Sequence, residues 1–221
     1  MGKTIGLILA AGLGVRFGAG QPKQYFKILG KELIAYSVEA FKKALSLDDF
    51  YVVLNDDPVQ QERIEEQYGV KIIPGGETRN ESFRKALDYL KANVSDCEKI
   101  FVNEAARPMI TPEIINNYVK KLDEFDYVYS AEKITDSLGT IDNKFADRSK
   151  FILVRAPEAY HFRQIESSFS ADMEITFPGH SLPKELKAYQ YFEYNNNIKV
   201  TFISDVNYIQ HLLINNPYLR A

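Results

Sequence analysis

Short runs of β-forming residues alternate with longer amphipathic segments over the first 130 positions of the chain, and few folds accommodate that order. The predicted strands are Thr4–Leu9, Phe50–Leu54, Val70–Ile73, Lys99–Val102 and Tyr127–Ser130. The predicted helices are Ile34–Leu45, Val59–Tyr68, Glu81–Asn93 and Pro112–Phe125. Strands and helices that alternate through short connections predict an α/β, Rossmann-like fold, in which helices cover both faces of a mainly parallel sheet.

Sheets of this kind bind ligands in the loops at the carboxyl ends of their strands. The first such loop combines small residues with a cation, and a second cation follows it: Ala10, Ala11, Gly12, Gly14, Arg16 and Lys23. Small residues let backbone N–H groups approach an anion, and the cations supply the positive charge that a polyphosphate needs. The loop therefore predicts phosphate binding, although Phe17 replaces the third glycine of a dinucleotide pattern and no Gly-Lys-Ser/Thr follows.

The charge balance and the cysteine count exclude several other classes of protein. A net charge of −3 argues against broad binding to nucleic acids or anionic membranes, which needs an excess of Lys and Arg. Cys97 is the only cysteine and the three histidines lie far apart, so no zinc cluster is expected. The N-terminal apolar run 5–11 is far shorter than the ~20 residues that span a bilayer, and it lacks the layout of a signal peptide. We expect a cytoplasmic protein.

The pattern changes between residues 137 and 155, where two short apolar runs are separated by turn residues. We expect this segment to form a protruding β-arm that pairs with a second subunit, which makes a homodimer the preferred assembly. An ordinary hairpin packed on its own domain is the alternative. No repeat, linker or low-complexity tract divides the chain, so residues 1–221 are expected to form a single domain.

Five segments carry motifs that occur in the same order in one known family. They are "AAGLGVRF" (10–17) with "PKQY" (22–25), "GGETRNES" (75–82), "NEAARP" (103–108), "DR" (147–148) and "NIKVT" (197–201). Together they resemble the cytidylyltransferases that act on 2-C-methyl-D-erythritol 4-phosphate and their relatives that act on ribitol 5-phosphate. The resemblance spans almost the whole chain, and it implies an enzyme that joins CTP and a polyol phosphate to give a CDP-polyol and pyrophosphate.

The resemblance also implies a role for individual residues. The residues implied in nucleotide binding are Ala10, Ala11, Gly12, Gly14, Gly76, Ser82 and Ala105. Those implied in catalysis are Arg16, Lys23, Arg148 and Lys199, and those implied in acceptor binding are Arg107, Arg148, Thr176 and Lys199. Because both reactants are anionic, aligning them and screening their charge is most of the catalytic task. Glu104 follows a predicted strand, where one carboxylate could hold Mg²⁺ against the triphosphate.

The chain departs from the family pattern at two places. The family usually has Asp at the position of Glu104 and His at that of Asn103. After Thr176, residues 177–179 replace an acidic pair that the family commonly has near the acceptor. These departures leave the acceptor open: methylerythritol phosphate would imply isoprenoid biosynthesis, whereas another polyol phosphate would suit the making of an activated polyol for a cell-surface polymer.

Three other functions remain possible from the sequence. A catalytically impaired nucleotide-binding scaffold would explain the changed residues at 103 and 104, although it would not need the four cations. An NAD(P)-dependent oxidoreductase would use the glycine loop, but the third glycine and the ribose carboxylate are missing. A sugar-1-phosphate nucleotidyltransferase would share the first loop but is usually longer than this chain.

Overall fold

The computed structural model describes residues 2–18, 20–142 and 144–215. The strands in these residues are β1 (Lys3–Leu9), β2 (Lys27–Ile28), β3 (Lys31–Glu32), β4 (Asp49–Leu54), β5 (Lys71–Pro74), β6 (Cys97–Glu104), β7 (Tyr127–Lys133), β8 (Ile152–His161) and β9 (Ala188–Tyr191). The α-helices are α1 (Leu33–Lys43), α2 (Pro58–Tyr68), α3 (Arg79–Asn93), α4 (Pro112–Lys121), α5 (Phe162–Ser168) and α6 (Asp205–Asn215).

Seven of the strands form one sheet in the order β5-β4-β1-β6-β8-β7-β9. Its strands run parallel except for β8, which is antiparallel to both of its neighbours, β6 and β7. The neighbouring residues Leu7 and Ile8 of β1 are both fully buried, and they belong to separate apolar clusters on opposite faces of the sheet. Burial on both faces is typical of a parallel sheet between two helical layers. The predicted α/β, Rossmann-like fold is confirmed.

All nine predicted elements are present, with boundaries that differ by a few residues. The last predicted helix ends at Lys121 instead of Phe125, because the chain turns at Leu122, whose N–H bonds to the carbonyls of Val119 and Lys120. The fourth predicted strand extends to Glu104, so that residue ends β6 instead of following it. The sequence analysis did not predict β2, β3, β8, β9, α5 or α6.

The segment predicted as an arm leaves the sheet between β7 and β8. These strands pair as an antiparallel hairpin as far as Lys133 and Ile152, and a single bridge joins Gly139 to Phe145 further out. Most described side chains of the connection are exposed, including the apolar Ile141 and Phe145. The segment thus packs little against its own chain, as expected of a protruding arm, and its role in a dimer stays a prediction.

Candidate active site

An open cavity of about 150 Å³ lies at the carboxyl ends of β1 and β6. Its walls come from the loop after β1, the turn before α3, the end of β6 and Lys199. The residues that line it are Leu9, Ala10, Ala11, Gly12, Lys23, Gln24, Gly76, Glu77, Thr78, Arg79, Ser82, Glu104, Ala105, Ala106 and Lys199. Eight positions that the sequence implied in nucleotide binding or catalysis therefore meet at one site, together with the proposed metal ligand Glu104. The eight are Ala10, Ala11, Gly12, Lys23, Gly76, Ser82, Ala105 and Lys199.

The loop after β1 folds back on itself because of one amide and one glycine. Gln24 is buried and its Nε2 donates to the carbonyl oxygen of Ala10 at 2.8 Å. Gly14 has a φ of 68°, and a side chain there would place its Cβ 3.0 Å from the backbone nitrogen of Lys23. Only glycine tolerates both that angle and that approach. The result is that Lys23 lies beside the open backbone of Gly12.

The turn before α3 forms the opposite wall. Ser82 accepts a hydrogen bond from the N–H of Gly76 at 3.0 Å and donates to the carbonyl of Thr78 at 2.9 Å. Thr78 and Glu81 form a capping box at the start of α3, which fixes the turn. A Cβ at Gly76 would lie 2.8 Å from the carboxylate of Glu81. Glycine is therefore required at residue 76, and a flat base can approach its backbone.

The Glu104 carboxylate is the centre of a cluster of cations. Its Oε2 lies 2.9 Å from Nζ of Lys199 and 3.1 Å from Nε of Arg107. Its Oε1 lies 3.3 Å from Nε of Arg79. Burial alone would raise the pKa of Glu104, but Arg107, Lys199 and Arg79 outweigh it and lower the pKa to about 2. Glu104 is therefore ionised at neutral pH.

Lys23 is the cation that faces this cluster from the glycine loop. Its Nζ donates to the carbonyl oxygen of Val200 at 2.9 Å. Burial, together with repulsion by Lys199 and Arg16, lowers the pKa of Lys23 to about 8, although Glu104 opposes the shift. A lysine whose charge is poorly compensated gains from the arrival of an anion. The positive charge near Lys23 therefore favours the binding of a polyphosphate.

Arg107 connects the cluster to the segment that carries Lys199. It is 6% exposed, and its Nη1 donates to the carbonyl and to the side-chain oxygen of Asn197 at 3.0 and 3.1 Å. The N–H of Val200 bonds to the carbonyl of Ala106 at 2.9 Å. These bonds hold Lys199 against the end of β6, so two segments about ninety positions apart share one site.

Five of the implied residues do not line the cavity: Gly14 and Arg107, whose contacts are described above, and Arg16, Arg148 and Thr176. Arg16 is exposed, although its charge still acts on Lys23. Arg148 lies on the arm, where it is exposed and donates to the carbonyl oxygen of Thr135. Thr176 is exposed in the segment between α5 and β9. The single chain does not bring Arg148 or Thr176 to the cavity, and their roles stay predictions.

Sequence reasoning missed three residues that shape the site. Gln24 and Arg79 stand inside the quoted motifs, so the motifs pointed to the right segments without showing that these side chains turn inwards. Glu158 lies in the unpredicted strand β8, and its Oε1 is 2.7 Å from Nη2 of Arg79. Burial raises the pKa of Glu158, although Arg79 opposes the shift. No sequence signal marks Glu158, because only the pairing of β8 with β6 brings it near.

The donor set suits Mg²⁺ in one respect. Glu104 offers an ionised carboxylate on the cavity wall, and Mg²⁺ commonly binds one or two carboxylates together with phosphate oxygens and waters. Among the described residues, no group of three or more His, Cys, Asp or Glu side chains could hold a metal alone. A metal here would therefore bind Glu104 and the phosphates of a nucleotide, and magnesium stays a prediction.

A Rossmann-like sheet with a glycine turn and a cluster of cations at the carboxyl ends of its strands can bind a nucleoside triphosphate, as a nucleotidyltransferase requires. Comparison with protein families then identifies the family. The model of IspD, 2-C-methyl-D-erythritol 4-phosphate cytidylyltransferase, matches residues 4–213, and the chain belongs to this family. The oxidoreductase and sugar-1-phosphate alternatives are therefore wrong.

Individual relatives agree with this assignment. A bifunctional IspD/IspF enzyme of Nitrobacter winogradskyi is 33% identical over 171 residues, which cover 74% of this chain but 42% of that longer protein. A 2-C-methyl-D-erythritol 4-phosphate cytidylyltransferase of Clostridium perfringens is 28% identical, with 96% of this chain and 100% of that protein covered. A bifunctional ribulose 5-phosphate reductase/CDP-ribitol pyrophosphorylase of Haemophilus influenzae is 28% identical over 76% of this chain and 37% of its own length.

A solved structure shows the same fold. The 4-diphosphocytidyl-2C-methyl-D-erythritol synthase of Anaerococcus prevotii superimposes with a TM-score of 0.81 over 96% of both chains. Its sequence identity is 19%, so this likeness concerns the fold alone. This chain and the Anaerococcus prevotii protein therefore share the same fold.

Proposed function

We propose that this protein transfers the cytidylyl group of CTP to the phosphate of a polyol phosphate and releases pyrophosphate. An oxygen of the acceptor phosphate forms a bond to the α-phosphorus, and the bond from that phosphorus to the bridging oxygen of the pyrophosphate breaks. One observation carries the proposal. Lys23 and Lys199, from opposite ends of the chain, lie together beside the turn at Gly76. The site can therefore hold a base and screen two anions at once.

The residues of the cavity, with Arg16 and Arg107 beside it, would bind different parts of the two anionic substrates. Gly76 and Ser82 would contact the cytosine, and the backbone of residues 10–14 would approach the triphosphate. Lys23 would stabilise the charge that develops on the α-phosphate and on the leaving pyrophosphate, with help from Arg16. Arg107 and Lys199 would hold the acceptor phosphate in line with the bond that breaks.

Glu104 is the residue that would hold a magnesium ion. When bound, such an ion would neutralise phosphate charge, which is the usual contribution of Mg²⁺ to phosphoryl transfer. The chain's own residues keep the Glu104 carboxylate ionised and oriented, since cations contact both of its oxygens. Lys199, which contacts Glu104 at 2.9 Å, would turn to the phosphates as they arrive.

The acceptor is a polyol phosphate of the methylerythritol or ribitol kind. The family description and the Clostridium relative support methylerythritol phosphate. The Haemophilus relative, whose name includes CDP-ribitol pyrophosphorylase, supports ribitol phosphate. Thr176 is exposed, whereas residues 177–179, which replace the acidic pair, are buried. This segment is the part of the chain in which the two kinds of acceptor would be distinguished.

Pyrophosphate release tests the proposal. The protein is mixed with CTP, Mg²⁺ and, in separate reactions, methylerythritol phosphate, ribitol phosphate and glycerol phosphate. We expect rapid release with one of the first two, and the preferred acceptor identifies the pathway. A Lys23→Ala variant serves as the inactive control. If no acceptor gives pyrophosphate, the catalytically impaired scaffold is the better description.

We also propose that the protein forms a homodimer through the arm. Ile141 and Phe145 are almost fully exposed at the tip of the arm, where apolar side chains gain by being covered. Sedimentation of the wild type and of an Ile141→Ser/Phe145→Ser variant tests this, and a wild-type monomer would refute it. No described helix is long and apolar enough to cross a membrane. The cytoplasmic location stays a prediction.

A further inference from the structure

Arg79 stands between two carboxylates that come from neighbouring strands. Its Nε lies 3.3 Å from Oε1 of Glu104 at the end of β6. Its Nη2 lies 2.7 Å from Oε1 of Glu158 in β8. The third nitrogen, Nη1, is buried and has no hydrogen-bond partner among the described residues. The guanidinium is thus shared by two acids, with the shorter contact on the Glu158 side.

Glu158 has no direct access to a ligand. It is 2% exposed, and it is not one of the described residues that line the cavity, whereas Arg79 and Glu104 both line it. Its second oxygen accepts a hydrogen bond from the hydroxyl of Tyr160 at 2.8 Å. Both oxygens of Glu158 are therefore engaged, and Arg79 is the one described cavity residue that its side chain contacts, although its charge also repels Glu104 directly.

The position of the Arg79 guanidinium determines how many of the Glu104 oxygen lone pairs remain free to bind a cation. Arg79 contacts only Oε1 of Glu104, which leaves Oε2 to Arg107 and Lys199. An arginine released from Glu158 could form a two-pronged pair with Glu104, since Nη1 and Nη2 would then both be free to donate. Such a pair would occupy the carboxylate more strongly than the single contact seen here.

We propose that Arg79 and Glu158 are positioning residues for Glu104: Glu158 holds Arg79 back and so keeps the Glu104 carboxylate available to a divalent cation. The proposal rests on the proposed function, because Glu104 is taken as the residue that holds the metal. A simple structural ion pair between α3 and β8 is the competing explanation. The two explanations differ in what each variant does to the metal.

Calorimetric binding of CTP, measured once in EDTA and once in saturating Mg²⁺, separates them without any turnover. We define the gain as the ratio of the CTP affinity in Mg²⁺ to the CTP affinity in EDTA. This ratio measures how strongly Glu104 contributes to binding the ion. Arg79→Gln removes a competing cation, and we expect the gain to increase about three- to tenfold. Glu158→Gln lets Arg79 close on Glu104, and we expect the gain to decrease by a similar factor. In the double variant the Glu158 change should have little further effect, because it acts through Arg79.

Arg84→Gln is the matched control. Arg84 lies on the same helix and also pairs with a carboxylate, Glu166, but outside the cavity. We expect this variant to leave the gain unchanged. Thermal unfolding shows whether each variant folds; if Arg79→Gln does not, the nearly isosteric Glu158→Gln is compared with Arg84→Gln.

Several results would overturn the proposal. The structural ion pair would be the better explanation if Arg79→Gln and Glu158→Gln changed the gain in the same direction. The same conclusion would follow if neither variant changed the gain more than Arg84→Gln does. A wild type whose CTP affinity does not respond to Mg²⁺ would also reject it. Because the measurement needs no acceptor, it stands apart from the pyrophosphate test: an enzyme that turns over normally can still fail here.

Discussion

The Nζ atom of Lys23 donates a hydrogen bond to the carbonyl oxygen of Val200 at 2.9 Å, across a separation of 177 positions in the sequence. Lys199 is the neighbour of Val200, so this bond brings two lysines of like charge to one cavity. Their repulsion contributes to the lowered pKa of Lys23. The fold therefore destabilises the charged form of Lys23 at the place where the phosphates of CTP are expected to bind.

Replacing Lys23 with alanine is expected to lower kcat/KM by about 100-fold or more, because a positioned donor that stabilises transition-state charge typically contributes this much. The rate of pyrophosphate release measures the effect. Lys42→Ala is a matched control, since Lys42 also donates its Nζ to the carbonyl of a distant residue, Tyr68, but it lies outside the cavity. A Lys23→Ala enzyme that keeps a normal rate would contradict the assignment.

The affinity for CTP is expected to fall as the pH rises above about 8, the pKa of Lys23 in the free protein. Bound phosphates stabilise the charged lysine and raise its pKa, so above pH 8 the binding of CTP must also take up a proton. Affinity then falls by up to about tenfold per pH unit until the pKa of the complex is reached. Calorimetric titration with CTP from pH 7 to pH 9.5, a range chosen to bracket about 8, measures this.

Two observations check that Lys23 causes the pH effect. Lys23→Arg keeps its charge over this range, so the fall in affinity should disappear in that variant. The free energy of unfolding should change in the opposite sense. Between pH 8 and 10.5 the unfolded Lys23 holds its proton while the folded one has lost it, so this residue makes stability rise with pH. Equal pH profiles for the wild type and Lys23→Arg would assign the effect elsewhere.

Glu104→Gln is expected to destabilise the protein as well as inactivate it. The substitution leaves Arg79, Arg107 and Lys199 without their shared carboxylate, and breaking a buried ion pair in this way costs about 3 kcal/mol. The lowered pKa of Glu104 means that its contribution is complete above pH 4.5 and is lost as the pH falls towards about 2. The difference in unfolding free energy between the wild type and the variant should therefore shrink over that interval.

Urea unfolding at pH 7, 4.5 and 3 checks this prediction at pH values on both sides of the ordinary pKa of 4.5. Glu166→Gln is the comparison, since Glu166 pairs with Arg84 and Lys91 away from the cavity. Its surface pairs should contribute about 1 kcal/mol or less. A Glu104→Gln variant as stable as Glu166→Gln would show that the cluster is held by other interactions.

Alanine substitutions at Gly76 and Gly12 are expected to have different effects on stability. A Cβ at Gly76 would meet the Glu81 carboxylate that caps α3, so this variant should lose about 1–3 kcal/mol together with CTP affinity. A Cβ at Gly12 meets nothing within 4 Å, so stability should be kept while the added methyl hinders the phosphates. Thermal unfolding and CTP titration of both variants measure the contrast. If both variants lost the same stability, the turn at Gly76 would not be more tightly packed than the loop at Gly12.

The parts of the fold that could be predicted are those whose burial follows a simple period. β1 and β4 are central parallel strands, and both appear in the sequence as continuous apolar runs. The first four residues of β8 pair only with β7 and are partly or fully exposed, and β8 is buried from Ala156 to Tyr160, where it lies between β6 and β7. Its sequence therefore does not distinguish it from a loop, and the residues that it carries into the core could not be placed.

The candidate site shows the same limit. The glycine loop and Glu104 are marked by small or charged residues at strand ends, which sequence patterns reveal, whereas Lys199 was implied only by the family resemblance. Arg79 is also charged, but it lies between Glu104 and Glu158, and Glu158 comes from an unpredicted strand. Partners that approach each other only through tertiary pairing leave no trace in local sequence.

Arg148 is expected to act on the partner's site in the proposed dimer. It lies exposed on the arm, bonded to Thr135 and away from the cavity of its own chain, yet the family resemblance implies that it holds the acceptor phosphate. Both statements are satisfied if each arm reaches the cavity of the other subunit. The Arg148→Ala variant should then be nearly inactive while binding CTP normally.

Mixing two inactive variants tests this directly. In a hybrid of Lys23→Ala and Arg148→Ala subunits, an arm that acts across a twofold interface leaves one site with both wild-type residues. Random reassortment of equal amounts should therefore restore about a quarter of the wild-type rate. If Arg148 served its own chain, every site would lack one of the two residues and no activity would return. Unmixed samples carried through the same dissociation and reassembly provide the control, and their inactivity assigns any recovered rate to the hybrids.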